Sequence, residues 1–108
     1  MTLDEFRPIL EETAASHGLA LDFLMNTWNG RFATYNVGVP TETVEDARRG
    51  VRDEARYYRL LGRVKANTKD GQLLVVLNPP SACDVTPTED EQAAWDGFAA
   101  EIQAQLPS

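Results

Sequence analysis

The stretch YRLLGRVKANTKDGQLLVVL, residues 58–77, contains the strongest secondary-structure signal in the sequence. In its first half the even-numbered residues are mostly apolar and the odd-numbered residues are mostly basic, and this period of two is typical of a half-buried strand. Asp70-Gly71 is a dipeptide favoured in two-residue hairpin turns. A turn there would oppose Val64 to Leu77, Ala66 to Val75 and Thr68 to Leu73. The stretch therefore predicts an antiparallel hairpin whose first strand turns five residues toward the core: Tyr58, Leu60, Gly62, Val64 and Ala66.

A second hairpin is one of two interpretations of residues 19–28, because the apolar residues there fit one face of a helix and also one face of a strand. The next segment, residues 31–39, alternates as a strand does. A three-residue loop over residues 28–30 would bring the two apolar sets onto the same face. That loop would oppose Met25 to Ala33, Phe23 to Tyr35, Leu21 to Val37 and Leu19 to Val39. We therefore favour the hairpin over the helix.

Helices are predicted before, between and after the two hairpins. Thr2 and Glu5 have the spacing of a capping box, so the first helix is expected to begin there or, because of Pro8, near Phe6 or with a bend. Gly18 supplies its stop signal. The last helix has a start signal followed by an apolar stripe. The start signal comprises Thr86, Pro87 and Glu89, and the stripe comprises Trp95, Phe98, Ala99, Ile102 and Leu106.

The middle helix is the least defined of the three. Pro40 and Thr41 are predicted to open it, with Gly50 as a weak point. The pattern leaves open where this helix ends. Its predicted buried side comprises Val44, Val51 and Ala55.

These elements predict an α+β domain in the order α-ββ-α-ββ-α. Its antiparallel sheet would have about four strands packed against helices. With 108 residues, of which 43% are hydrophobic, the chain is expected to form a single compact domain over residues 1–108. The element order is similar to that of small secretion chaperones and roadblock-like modules. This similarity is one of layout, so no residue role is transferred from either family.

Charge is segregated along the chain. Eight of the ten basic residues lie in residues 48–69 beside two acidic residues, which gives this segment a net charge of +6 in a protein of net charge −7. The flanking residues 1–47 and 70–108 are both acidic. Such segregation usually indicates a surface that meets a partner.

Six of these bases are candidate binding residues. Three arginines spaced by four would line one side of the middle helix, and three bases would project outward from the following strand. They are Arg48, Arg52 and Arg56 in the helix, and Arg59, Arg63 and Lys65 in the strand. One interpretation is a solvated face with weak local ion pairs. The other is a patch that binds an acidic partner, for which the planar guanidinium of arginine is well suited.

The segment 73–77 is apolar on both faces of its predicted strand. A strand of this kind must be covered on both sides, by a helix, a second subunit or a client protein. The outer row would comprise Tyr57, Leu61, Leu74 and Val76. Tyr57, Leu74 and Val76 therefore join the candidate binding residues, and we expect this face to be buried in a homodimer.

Side chains for catalysis or metal binding are scarce. His17 is the only histidine, and we expect it at a helix end, where the helix dipole favours an imidazolium. Cys83 is the only cysteine, so no intrachain disulfide can form and a reducing compartment is the simpler expectation. The glycines do not cluster into a phosphate-binding loop. We expect no catalytic residue, no metal site and no cofactor.

The same features restrict the class of partner. No run approaches the ~18 apolar residues that span a bilayer, so a membrane is not an expected partner. The negative net charge disfavours nucleic acid, although arginines and tyrosines interleave over residues 56–59. We expect a cytoplasmic protein whose partner is another protein with an acidic or apolar surface.

The sequence thus favours a small acidic protein-binding module that acts by protein–protein contact and is not an enzyme. It could be an adaptor, a chaperone, or an inhibitor such as phages and mobile elements encode. Two alternatives stay open: a small-ligand or nucleic-acid-linked regulator that uses residues 48–69, and an enzyme of unknown reaction that depends on carboxylates.

Overall fold

In the described part of the chain the longest strand, Arg56–Lys69, lies inside a five-stranded antiparallel sheet. The computed structural model describes residues 1–27, 31–41, 51–53 and 56–106, and of residues 24–27, 51–53, 56 and 57 it describes the backbone alone. In chain order the elements are the helix α1 (Leu3–Ser16), the strands β1 (Ala20–Thr27), β2 (Phe32–Thr41), β3 (Val51–Asp53), β4 (Arg56–Lys69) and β5 (Gln72–Asn78), a short 3-10 helix (Pro80–Cys83), and the helix α2 (Glu89–Gln105).

Strand β4 has β2 along one side and both β3 and β5 along the other. The short strand β3 pairs with the start of β4, whereas β5 pairs with residues 63–69. Strand β1 pairs only with β2 among the described residues, so it forms one edge of the sheet. The predicted α+β class, with an antiparallel sheet packed against helices, is confirmed, and β3 adds a fifth strand of three residues.

The hairpin of β4 and β5 has the predicted register. Val64 opposes Leu77, Ala66 opposes Val75, and Thr68 opposes Leu73, as the turn position requires. The turn residues Asp70 and Gly71 both have positive φ angles, of 54° and 76°. A two-residue hairpin turn requires this backbone, because positive φ at both residues matches the twist of the flanking strands.

The first hairpin is also confirmed, because residues 20–27 form a strand and not a helix. Leu21 opposes Val37 and Phe23 opposes Tyr35, as predicted. A bulge after Phe23 then moves Met25 opposite Thr34, so its predicted pairing with Ala33 is wrong by one residue. Leu19 precedes β1 and does not pair with Val39. The predicted loop over residues 28–30 lies outside the described residues.

A bulge at Leu61 changes which residues β4 turns toward the helices. Val37 opposes Gly62, but the next residue of β2, Gly38, opposes Leu60. Leu61 is therefore the extra residue of the ladder, and the alternation of side chains is inverted on its two sides. We call the side of the sheet that packs on α1 and α2 the helix face, and the opposite side the second face.

Because of this inversion, the side-chain orientations predicted for β4 are correct after the bulge and wrong before it. Val64 and Ala66 lie in the core on the helix face, as predicted. Leu61, predicted to face outward, is a buried core residue. Tyr58 and Leu60, predicted to face this core, lie on the second face instead.

The predicted start of the middle helix is wrong. Pro40 and Thr41 continue β2 and oppose Tyr58 and Tyr57 of β4, and Val51 lies in β3. The pairing of β1 with β2 ends at Gly38, so Pro40 lies where its missing N–H removes no ladder bond to β1. Of the other residues predicted for this helix, Val44, Arg48, Gly50 and Ala55 lie outside the described residues.

Helix α1 begins at the earlier of the two predicted starts, with Pro8 inside it, and ends as predicted. Thr2 and Glu5 form both hydrogen bonds of a capping box, and Gly18 has a φ of 70° after the last turn. Helix α2 also begins with a capping box, but it joins Thr88 to Glu91, two residues later than predicted. Of the helices in the described part of the chain, none is both long and apolar enough to span a bilayer.

The core lies between the helix face and the two helices. From the helices it receives buried residues such as Phe6, Leu10, Phe98 and Ile102. Gly62 leaves room for the ring of Trp95, which a methyl group at residue 62 would overlap. These contacts leave the second face outside the main core.

Candidate functional site

The second face of the sheet exposes three large apolar side chains. Phe32, Leu74 and Val76 are 39%, 43% and 57% exposed. Along β5, Leu73, Val75 and Leu77 pack against the core on the helix face, so Leu74 and Val76 must project from the other face. The predicted outward orientation of Leu74 and Val76 is thereby confirmed. We call Phe32, Leu74 and Val76 the apolar patch.

Three basic residues of β4 share this face with the patch. Arg63, Lys65 and Lys69 alternate with the core residues of the strand, and Lys65 lies directly opposite Val76. Lys65 and Lys69 are exposed, and neither forms an ion pair with a residue in the described part of the chain. We call Arg63, Lys65 and Lys69 the basic strip.

One polar atom lies between the two halves of the apolar patch. Asn67 has Phe32 opposite it on β2 and Leu74 opposite it on β5. Its Oδ1 is buried and accepts no hydrogen bond from a described residue. A buried acceptor without a donor is costly, so a donor from a bound partner would stabilise this position.

The predicted basic patch is divided by the structure. Arg59 lies on the helix face, where its guanidinium pairs with the carboxylate of Glu91 in α2. The prediction that Arg59 shares a face with Arg63 and Lys65 is therefore wrong, because the bulge at Leu61 separates them.

For the other four predicted binding residues, the structure gives at most the position of the backbone. Arg52 lies in β3, and Arg56 and Tyr57 lie in β4, so none of the three is helical. The structure describes their backbone alone, and Arg48 lies outside the described residues. Of the predicted set, the structure brings together four residues on the second face: Arg63, Lys65, Leu74 and Val76.

A chain of hydrogen bonds runs across the second face next to the basic strip. The Nε of Arg63 donates to Oδ1 of Asn36, Nδ2 of Asn36 donates to the Tyr58 hydroxyl, and this hydroxyl donates to Oδ2 of Asp22, each over 2.9 Å. Asn36 is 0% and Tyr58 1% exposed. Every link points from the guanidinium toward the carboxylate, an order in which neighbouring bonds polarise one another favourably.

This polar chain has a structural role. Both functions of the Tyr58 hydroxyl are used, since it accepts from Asn36 and donates to Asp22. The ring of Tyr58 packs on Gly38, where a methyl group would overlap it. Because Asn36 holds the guanidinium of Arg63, the chain fixes one end of the basic strip.

His17 and Cys83 occupy unremarkable positions. His17 caps α1, as expected, and its Nε2 lies 3.2 Å from Oε2 of Glu101 while its ring covers Gly97 of α2. The thiol of Cys83 lies 3.9 Å from the carbonyl oxygen of Asn78. In the part of the chain that the structure describes, no three ligand-type side chains converge as a metal site would require.

Several residues of the second face were missed by the sequence reasoning. The predicted register of the first hairpin already places Asp22 opposite Asn36, and a polar pair inside two apolar strands is a recognisable signal. Lys69 follows Arg63 and Lys65 in odd-numbered positions, so the same alternation could have added it. Phe32 precedes the inward residue Ala33, so the same alternation could have placed it on the second face.

The chain matches no known protein family, and it shows no significant similarity to a curated protein or a solved structure.

Proposed function

We propose that this protein is a binding module that docks an acidic, partly apolar segment of another protein on the second face of its sheet. The observation that carries the proposal is the exposure of Leu74 and Val76 beside Lys65, which has no partner among the described residues. Apolar side chains of the partner would cover the apolar patch, and its carboxylates would meet the basic strip. We place such a module in the cytoplasm, as an adaptor, chaperone or inhibitor, and propose no enzymatic activity.

The energetics indicate a weak or transient complex. Covering a half-exposed side chain of the apolar patch is worth about 1 kcal/mol at ~25 cal/mol per Å². Each exposed charge pair with the basic strip adds at most about 1 kcal/mol. The contribution of the charges is therefore mainly to select an acidic partner and to speed association.

A second copy of this chain is the competing occupant. A homodimer formed through the second face would bring two basic strips together and would oppose two proteins of net charge −7. Both terms are repulsive, whereas an acidic segment of another protein neutralises the strip. Charge complementarity thus supports a different partner over self-association.

The test uses two fluorescein-labelled peptides with valine and leucine at alternate positions. One peptide carries glutamate between them and the other carries lysine. The glutamate peptide should bind more tightly than the lysine peptide, and its affinity should fall as salt rises from about 20 mM to about 300 mM. Fluorescence anisotropy measures both.

Matched variants locate the binding surface. Lys65→Gln should weaken binding of the glutamate peptide about three-fold, and Leu74→Thr with Val76→Thr should weaken it about thirty-fold through lost apolar burial. Arg7→Gln removes the same charge from α1 and should leave the affinity unchanged. Equal loss with Arg7→Gln would contradict the site, and so would a wild-type dimer, seen by light scattering, that Val76→Lys dissociates.

A further inference from the structure

Strand β5 lies at the edge of the sheet opposite β1. Among the described residues it pairs only with β4, and none of its seven residues is buried. A strand at an edge presents N–H and C=O groups that have no neighbouring strand, and another chain can pair with them. In the described part of the chain, one long side of β5 is thus available for pairing.

The two-residue turn between β4 and β5 determines which backbone groups of β5 point outward. Such a turn makes Lys69 and Gln72 a hydrogen-bonded pair, and bonded and unbonded pairs then alternate along the ladder. The N–H of Thr68 accordingly points away from β5 and donates to the carbonyl oxygen of Arg31. Three residues of β5 direct their N–H and C=O groups away from β4: Leu73, Val75 and Leu77. We call these groups the free edge, and none of them bonds to a described residue.

The two edges of the sheet differ in the features that keep foreign strands away. Charged residues, prolines and bulges protect an edge from pairing with another chain. Strand β1 contains Asp22 and has a bulge after Phe23. Strand β5 contains no charged residue, no proline and no glycine, and its pairing with β4 has no bulge. Of these two edges, β5 is therefore the one suited to accept a further strand.

On the helix face, a strand added to β5 would extend the core. Alternate side chains of this strand would lie beside Leu73, Val75 and Leu77. These three residues are only partly buried, and they pack against the core. Apolar side chains of a partner fit this row, because they would cover the exposed part of all three residues.

On the second face, the same strand would reach the apolar patch and the basic strip from the side. Its side chains would lie beside Leu74 and Val76, and about 10 Å, or two strand spacings, from Lys65 and Lys69. The stems of a glutamate and a lysine together span that distance and cover the apolar residues between them. Because the two lysines form no ion pair with a described residue, carboxylates on this face of the partner would neutralise them.

We propose that the partner's acidic segment binds as an extended strand along the free edge and adds a strand to the sheet beside β5. This inference rests on the proposed function and specifies how the same partner is held. Hydrogen bonds to the free edge supply affinity for an extended backbone, whereas the side chains on the two faces select an acidic and apolar segment.

Two N-methylated forms of the glutamate peptide test the pairing on the wild-type protein. One is methylated at the backbone nitrogens of its valines and leucines, and the other at those of its glutamates. In a strand paired along one side, only alternate N–H groups face the neighbour. One methylated peptide should therefore bind about a hundred-fold more weakly than the parent, as the loss of about three hydrogen bonds predicts, and the other should bind within about three-fold of the parent.

Val75→Pro tests the same pairing from the side of the protein. It removes the central N–H of the free edge and no bond of the ladder between β4 and β5, so β5 can remain paired. Binding of the glutamate peptide should weaken about ten-fold, because one donor is lost and the ring obstructs the approaching strand. Val75→Thr is the matched control, since it keeps the N–H and nearly the same shape, and it should bind like wild type. Amide spectra check that both variants are folded.

The outcomes separate this inference from the proposed function. If the parent peptide does not bind, both fail. If it binds but the two methylated peptides have equal affinities, or if Val75→Pro binds it as tightly as Val75→Thr, the proposed function stands and the strand pairing is overturned. A wild-type dimer that Val75→Pro dissociates would also overturn the inference, since the free edge would then hold a second copy of the chain.

Discussion

Tyr35 and Tyr58 are buried to the same extent, 2% and 1% exposed, but they lie on opposite faces of the sheet. The hydroxyl of Tyr58 bonds to Asn36 and Asp22. The hydroxyl of Tyr35, in contrast, forms no hydrogen bond with a residue that the structure describes, and it lines a groove. The Tyr58 hydroxyl thus helps to hold the fold, whereas the Tyr35 hydroxyl has no such role among the described residues.

The difference shows that the burial of a residue does not by itself tell whether its polar atom is used in the fold. A buried hydroxyl whose donor and acceptor functions are both used contributes to stability and offers nothing to a ligand. A hydroxyl that forms no such bond, and that borders a groove as the hydroxyl of Tyr35 does, contributes little to stability. The predictions below test this contrast, beginning with the largest expected effect.

Gly38→Ala, on the second face, should cause the largest loss of stability among these variants. The added methyl group would overlap the ring of Tyr58 and the carbonyl oxygen of Arg59, which is backbone and cannot move aside. Overpacking of this kind lowers the free energy of unfolding by about 2 to 3 kcal/mol. Urea denaturation measures the loss.

The matched control for this variant is Gly97→Ala. Its methyl group meets the ring of His17, 2.8 Å from Cε1, but this side chain is partly exposed and can shift. Alanine also has a higher helix propensity than glycine, by ~1 kcal/mol. Gly97→Ala should therefore change stability far less than Gly38→Ala, and equal losses would contradict the steric argument.

Tyr58→Phe and Tyr35→Phe compare the two hydroxyls directly. Tyr58→Phe leaves Asn36 and Asp22 without their partner and should cost about 2 kcal/mol of unfolding free energy. Tyr35→Phe removes a hydroxyl without a described partner and should change stability by less than about 0.5 kcal/mol. Urea denaturation of both variants in one buffer checks the contrast, which fails if the two losses are equal.

Arg63→Met tests the first link of the hydrogen-bond chain, from Arg63 to Asn36. It removes the donor to the buried Oδ1 of Asn36 and should cost about 1 kcal/mol, because Arg63 is itself partly exposed. Lys65→Met changes the next residue on the same face, which is exposed. Its effect on thermal stability should be close to zero, and a comparable loss would show that Asn36 does not depend on Arg63.

The smallest expected effect is a difference in alkaline stability. The pKa of Tyr35 is raised above its usual value of 10.0, chiefly by burial. A raised pKa means that the unfolded chain loses this proton first as the pH rises, so stability is lost from about pH 10 upward. Tyr35→Phe should therefore lose less stability than wild type between neutral pH and alkaline pH, as thermal melts at several pH values would show.

The sequence predicted the fold best where turn chemistry fixes the register. Asp70-Gly71 accepts positive φ at both residues, and all three predicted pairs between β4 and β5 were correct. The prediction failed at Leu61, where the ladder admits an extra residue. A glycine inside a strand can indicate a bulge, so Gly62 was a signal that went unused.

The other errors come from tertiary contacts that local patterns do not contain. Pro40 and Thr41 resemble a helix start, but pairing with β4 keeps them in a strand. The groove beside Tyr35 depends on how α1 crosses β1, which no short sequence pattern specifies. For the binding site, alternation correctly placed Leu74, Val76, Arg63 and Lys65 on one face, and it misplaced Arg59 because the bulge intervenes.

The central claim is that the second face binds an acidic protein segment, and amide shift mapping with the glutamate peptide tests it most directly. The account predicts saturable shifts in β5 and in residues 63–69 of β4, which weaken with salt and are absent in Leu74→Thr with Val76→Thr. Shifts confined to α1 and β1, or equal shifts with the lysine peptide, would contradict it.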